Sequence, residues 1–277
     1  EGRPMILGAI SNSWKLQLAH HDLKELVHEA QSRGARHIEL RQTCMGDYEA
    51  GQGEAWRPVM PRLRDLVAAF PGMTFNLAIE WPCLSREKDP KGEQFQSALE
   101  AAKVLDATAP HLRLVDRTSY DVAWTNERQV PSIALQQVSS LTREAARQGV
   151  TLSIENLGQT IAGMALLVRM VRDRLPEDMG RSLGICPDPA NQLPRYPESD
   201  PVAEIEATPL GYLKIVHFKQ TRNGKPHPTI DSGDVDCLRQ MRVLRKIGYT
   251  GAIVIEIPPH DRALGNLSAS FKYLGLA

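Results

Sequence analysis

Glu155 ends an apolar run, TLSIEN, and three more residues of ligand type end later runs of the same kind. Asp188 closes SLGICPDPAN, His217 closes LKIVHFKQ and Glu256 closes AIVIEIPP, at gaps of 33, 29 and 39 residues. Each gap is close to one strand–helix unit. Three carboxylates and one imidazole suit a divalent ion, Mn²⁺ or Mg²⁺ first, with Co²⁺ or Zn²⁺ admitted by the single nitrogen. If the four runs are neighbouring parallel strands, their side chains meet at one mouth. A substrate hydroxyl and carbonyl could then chelate the open positions on the ion. The metal would acidify the C–H between them and stabilise the enediolate left by α-proton abstraction. Glu155 and Glu256, on different walls, are the candidate bases that take and return the proton.

Convergence of that kind needs a particular scaffold. Eight short apolar runs follow one another: 5–11, 36–41, 74–80, 111–116, 151–156, 182–188, 213–219 and 252–257. Between them lie stretches such as DLKELVHEAQSR and SIALQQVSSLTREAARQ, whose apolar residues recur every three or four positions, as a helix packed on one face requires. Short Gly and Pro punctuation (RGAR, FPGM, RQGV, KIGYTG) marks the joints. Strict alternation implies a parallel sheet, and eight units in this length fit an α/β fold of one kind best, a (β/α)₈ TIM barrel. Residues 1–277 therefore read as a single barrel domain. An open doubly wound sheet would usually carry a Gly-rich nucleotide turn after its first strand, and GAISNSW has none.

Strand periodicity adds an independent check. Ser153 and Glu155 share one face of the fifth strand, Val254 and Glu256 one face of the eighth, and His217 and Lys219 one face of the seventh. Every proposed ligand can therefore point inward at a C-terminal strand end, where barrel active sites lie.

Lys+Arg and Asp+Glu both number 33, so no basic surplus exists to grip a polyanion, and nucleic acid is not an expected partner. Four scattered cysteines without a CxxC pair read as reduced thiols. No run approaches 18 apolar residues and EGRPMILGAIS carries no basic-then-apolar leader, so no membrane association and a cytoplasmic location are expected.

The set IEN, DPAN, HFK and IEI, in this order and spacing, resembles the xylose-isomerase-like TIM-barrel superfamily, and within it the sugar phosphate isomerase/epimerase group. That group includes tagatose/psicose 3-epimerases, hydroxypyruvate isomerases, inosose-processing enzymes and 3-dehydroshikimate dehydratase. The resemblance runs from about GARHIELR (34–41) to Glu256. It implies that Glu155, Asp188, His217 and Glu256 are metal ligands, that the two glutamates are also the acid/base pair, and that Lys219 of H-x-K meets a substrate oxygen or acidic group. Two segments depart from the pattern. Where many members carry Asp-x-x-His, this chain has Asp188-Pro-Ala-Asn191, and Asn191 can hydrogen-bond a substrate hydroxyl but cannot act as a base. The common G-x-G-D-V-D segment reads Asp231-Ser-Gly-Asp-Val-Asp236.

Arg41 shares phase with Glu39 and is a third candidate substrate contact, beside Lys219 and Asn191; a salt bridge between strands competes with that role. Glu80 and Asp116 read as rim acids in ion pairs. Trp14, Trp81 and Trp124 fall in or near mouth-side loops, where they either cover a sugar's C–H face or pack as core.

The resulting expectation is a divalent-metal-dependent sugar isomerase or epimerase acting on a ketose, keto-sugar or sugar phosphate. The alternative is a lyase or dehydratase that eliminates a substituent beside a ketone on the same scaffold, 3-dehydroshikimate-dehydratase-like or keto-glycoside-cleaving. An abasic-site endonuclease is a remote third reading, since such enzymes cluster three metals with many histidines and need a basic surface. A small-molecule carbohydrate is the expected partner. Related barrels often form dimers or tetramers, so a homo-oligomer is compatible with the sequence, although no segment marks an interface.

Overall fold

The computed structural model describes residues 4–276 of the chain. The eight apolar runs become eight parallel strands: β1 (Ile6–Ile10), β2 (His37–Arg41), β3 (Thr74–Glu80), β4 (His111–Val115), β5 (Thr151–Glu155), β6 (Leu183–Cys186), β7 (Val216–Phe218) and β8 (Ala252–Ile255). Hydrogen bonding orders them β6-β5-β4-β3-β2-β1-β8-β7. A parallel bridge between Ile185 and Leu213 joins the two ends, so the barrel is nearly closed. Lys214 N donating to Ile185 O at 3.1 Å and His217 N donating to Pro187 O at 3.0 Å reinforce that seam.

The longer helices are α1 (Leu23–Ser32), α2 (Met60–Ala69), α3 (Glu93–Leu105), α4 (Ser132–Arg147), α5 (Ile161–Arg172), α6 (Pro201–Ala207), α7 (Cys237–Lys246) and α8 (Ala263–Tyr273). Asp22, Thr160, Asp200 and Asp236 cap four of them, each accepting from a backbone N–H that the first helical turn leaves unpaired. Gly149 (φ +71) and Gly248 (φ +75) end α4 and α7 in the left-handed region, where a side chain would be strained.

Alternate strand residues separate into two environments. Leu152, Ile154, Ile253 and Ile255 face the helices and join one large apolar core. Ile10, Cys186, Ile215, Ala252 and Val254 form a smaller cluster inside the barrel. The rest of the interior is polar: His37, Glu39, Asn76, Arg113 and Ser153 are all buried there. All four cysteines are buried and unpaired, as the sequence implied.

Candidate metal centre

Glu155 is the last residue of β5, His217 the middle of β7, and Glu256 follows β8 directly, its N–H donating to Phe218 O at 2.9 Å. Asp188 lies two residues past β6 and caps a single helical turn, Pro189–Gln192. Asn156, the Asn of IEN, fixes it: Asn156 Nδ2 donates to Asp188 O at 3.0 Å, and Asp188 N donates to Asn156 Oδ1 at 2.7 Å. One ligand atom from each of the four residues lies within 4.8 Å of the other three. Ligands about 2.0–2.2 Å from a common ion stand at most ~4.4 Å apart, so movements of a few tenths of an ångström bring the set to bonding distance.

The hydrogen bonding around the cluster fits an ion. Asp188 Oδ2 is buried and has no hydrogen-bond partner, a costly state for a carboxylate oxygen unless something positive completes it. His217 presents Nδ1 to the cluster, 2.9 Å from Glu256 Oε2, 3.3 Å from Glu155 Oε1 and 3.8 Å from Asp188 Oδ2. Its Nε2 points the other way and sits 2.9 Å from Glu39 Oε1. With Nδ1 given to a metal, Nε2–H would donate to Glu39, the arrangement that orients metal-bound histidines. The group can hold a divalent ion.

The charges are tightly interlocked. Burial pushes the Glu256 carboxyl up, but Lys219 and His217 outweigh it and hold the group well below the usual carboxylate range. Burial likewise opposes ionisation of Glu155, and Arg113 and His217 overcome it. Glu39 is held well below its ordinary value against full burial, by Arg113 and His217. Burial disfavours a charged His217, yet the anionic neighbours, Glu39 and Glu155 among them, raise it well above the ordinary value while no ion is present.

Lys219 and Asn191, the sequence's candidate substrate contacts, lie against the cluster. Lys219 Nζ lies 3.7 Å from Glu256 Oε2 and 3.8 Å from Asp188 Oδ2, and donates to Asn191 Oδ1 at 3.2 Å. Asn191 Nδ2 donates to Glu155 Oε1 at 3.0 Å. Above these groups lies a cavity of about 280 Å³, and Arg41 is on its wall. Arg41 is also 3.6 Å from Glu80, a salt bridge between strands of the kind that competes with a substrate role.

Three participants escaped the sequence reading as site residues. Arg113 donates to both oxygens of Glu39 and, through Nη1, to Glu155 Oε2 at 2.5 Å. Glu39 and Arg113 are 0% and 1% exposed, a fully buried ion pair directly beneath the cluster. The third, Asn12, donates to Glu256 Oε1 at 2.8 Å. A signal for the pair existed: Glu39 and Arg113 are opposite charges in the middle of apolar strands, in inward phase, and such charges are buried only when paired.

Other polar candidates lie elsewhere or serve the framework. Trp14, Trp81 and Trp124 are buried core rings. Asp116 accepts from the N–H groups of Leu84 and Thr118. His227 pairs with Asp231. In the Asp231–Asp236 segment, Asp234 accepts from Thr221 Oγ1, Asn223 N and Gly224 N, which pins the small hairpin of Thr221–Arg222 and Lys225–Pro226.

Residues 27–274 match the family profile described as "Xylose isomerase-like TIM barrel". The chain belongs to that family. No curated protein matches it in sequence. Solved structures with the same fold include the probable 3-DHS dehydratase AsbF of Bacillus anthracis (TM-score 0.70, 15% identity, 98% of this chain and 99% of that one). The IolI protein with a bound zinc atom is similar at TM-score 0.67 and 15% identity, over 98% and 95% of the two chains. D-psicose 3-epimerase of Clostridium cellulolyticum, solved with D-tagatose, is similar at TM-score 0.64 and 14% identity, over 98% and 99%. At these identities the solved structures share a barrel fold with this chain, and their substrates are their own.

Proposed function

We propose that this protein is a divalent-metal-dependent isomerase or epimerase acting on a ketose, keto-sugar or sugar phosphate. The observation that carries the reading is one ligand set, Glu155, Asp188, His217 and Glu256, converging within 4.8 Å beneath a cavity, with a buried Asp188 oxygen that has no hydrogen-bond partner. Sugar epimerases among the solved structures support it, as does the zinc-bound IolI protein. Mn²⁺ or Mg²⁺ suits three carboxylates and one imidazole best.

When bound, the ion supplies Lewis acidity to a substrate carbonyl or hydroxyl oxygen. Glu256 lines the cavity, with Oε1 accepting from the Asn12 amide and Oε2 facing His217 and Lys219, and is assigned to take a proton from the substrate carbon. Glu155, on another wall of the cavity, is the partner that returns it. Lys219 and Asn191 are placed to hydrogen-bond substrate oxygens. The test is incubation of the Mn²⁺-loaded protein in D₂O with D-fructose, D-tagatose and their 6-phosphates. Isomerised or epimerised product labelled at the exchanged carbon is expected; no product and no exchange from any of them would reject the assignment.

A second reading, a lyase or dehydratase, draws on one particular contact. Arg113 Nη1 occupies Glu155 Oε2, and a guanidinium there keeps that carboxylate anionic and reluctant to accept a proton. Glu256 is held low as well, but its cation Lys219 stands at 3.7 Å rather than in hydrogen-bond contact. Under this reading Glu256 is the better-placed single base for elimination beside a ketone. Loss of water from 3-dehydroshikimate, followed by the aromatic product's absorbance, separates the two readings.

A further inference from the structure

The cavity over the cluster shares Arg41, Thr43 and Arg117 with an adjoining cleft of about 740 Å³. The two together are larger than one sugar ring needs, and their charge is lopsided. Around the ion site, the four carboxylates of Glu39, Glu155, Asp188 and Glu256 are balanced by Arg113, Lys219 and a divalent ion, with His217 as a neutral ligand. Lys15, Arg41 and Arg117 also line the cavity, and among the described residues its only acidic lining groups are Glu155 and Glu256. These three cations are therefore surplus. The adjoining cleft adds the acids Glu54, Glu80 and Asp116 against Arg86 and Lys88, a net of one negative charge, so part of the surplus remains. Glu80 is the acid paired with Arg41 and Arg117.

Arg41 is the strongest of the three. Its side chain is only 11% exposed, and among the described residues Nη1 makes its one side-chain hydrogen bond, to Gln42 O at 2.9 Å. Its Nη2 stands 3.6 Å from Glu80 Oε2, too far for a good hydrogen bond. A largely buried guanidinium with N–H groups unspent wants an acceptor. Arg117 donates through Nε to the same Glu80 oxygen at 2.8 Å, so one carboxylate oxygen already sits between the two guanidinium groups.

We infer that the substrate carries an anionic group, a carboxylate or a phosphate, which Arg41 and Arg117 hold with help from Lys15 while the keto–hydroxyl end reaches the ion. This deepens the proposed function and rests on it. Planar guanidinium forks match both oxyanions, and the surplus charge raises the local concentration of anions at the mouth.

Three probes on one carbon skeleton test the inference: D-fructose, D-fructuronate and D-fructose 6-phosphate, each titrated into the Mn²⁺-loaded protein at low salt. Binding is read from Mn²⁺-enhanced relaxation of the probe protons, which needs no turnover. At least one charged probe should bind ten-fold or more tightly than D-fructose, and the tighter of the two identifies the group as carboxylate or phosphate. Arg41→Gln and, separately, the exposed Arg117→Gln should each cut that preference at least three-fold, with Mn²⁺ affinity unchanged. Equal binding of all three probes, or a preference that survives both substitutions, would overturn the inference. Failure of Mn²⁺ to bind would instead sink the metal-dependent reading, and calorimetry with the same probes and variants would still decide on the anion site.

Discussion

His217 owes its orientation to a residue that touches no ion. Glu39 Oε1 meets Nε2 at 2.9 Å, and Arg113 in turn grips both oxygens of Glu39. Removing the charge from such an outer partner typically costs 10–100-fold in metal affinity. Glu39→Gln should weaken Mn²⁺ binding by about that factor, as titrated by the EPR signal of the free ion; unchanged affinity would assign Glu39 a purely structural part. Glu155→Gln and Glu256→Gln should each lower turnover by at least ~10²-fold, the usual contribution of a positioned base, while circular dichroism stays native. If Arg113 disables Glu155 as a base, Glu256→Gln will be the more damaging of the two, and the ratio of their rates reads out that asymmetry.

Among the barrel's strand pairs, the contact between β6 and β7 is the weakest. One bridge and two flanking backbone hydrogen bonds join them, yet Asp188 and His217 come from its two sides. Gly184 makes that approach possible: a Cβ there would stand 2.2 Å from Tyr212 O and 2.5 Å from Lys214 Cγ. Backbone at that distance cannot give way cheaply. Gly184→Ala should cost about 1–3 kcal/mol, the usual penalty for overpacking. It should also loosen Mn²⁺ binding, because the seam sets the spacing of two ligands. Urea melts of ion-free protein report the first effect and Mn²⁺ titration the second; a variant as stable as the parent would show that the seam tolerates opening.

An ion held by this cluster would link binding to the stability of the entire barrel. An ion that binds only the folded chain stabilises it by about 2.7 kcal/mol at 100 times its dissociation constant. Saturating Mn²⁺ should therefore raise the melting temperature, and excess EDTA should reverse the rise; identical melts in both would argue against a site in this cluster. The pH response follows from the same charges. Glu39, Glu155 and Glu256 are held below the ordinary carboxylate range, so their contribution is complete above about 4.3 and lost as pH falls through the depressed values. His217 runs the opposite way: its contribution is complete below about 6.5 and fades as pH rises through its elevated value. Ion-free protein should thus be most stable between about pH 4.5 and 6.5, by urea midpoint. With Mn²⁺ the alkaline decline attributable to His217 should vanish, since a metal-bound Nδ1 carries no proton.

Eight apolar runs, their helical spacers and the inward phase of the four ligand-type residues were all legible along the chain, because strand and helix periods are local properties of sequence. The runs 5–11, 213–219 and 252–257 shrink to Ile6–Ile10, Val216–Phe218 and Ala252–Ile255, since strand ends depend on which neighbours continue the ladder. Glu155, Asp188, His217 and Glu256 were recognisable from residue type, position at a strand end and the spacing of one unit each. Glu39 and Arg113 were not assigned to the site, although their types and phases were in plain view. Partnership between β2 and β4, across an intervening strand, exists only once the sheet has curled far enough to bring both side chains into one interior. The same closure, completed where Gly184 lets two chain segments touch, set the distances among the ligands. Periodicity says which way a side chain points; only the packed cylinder says what it meets.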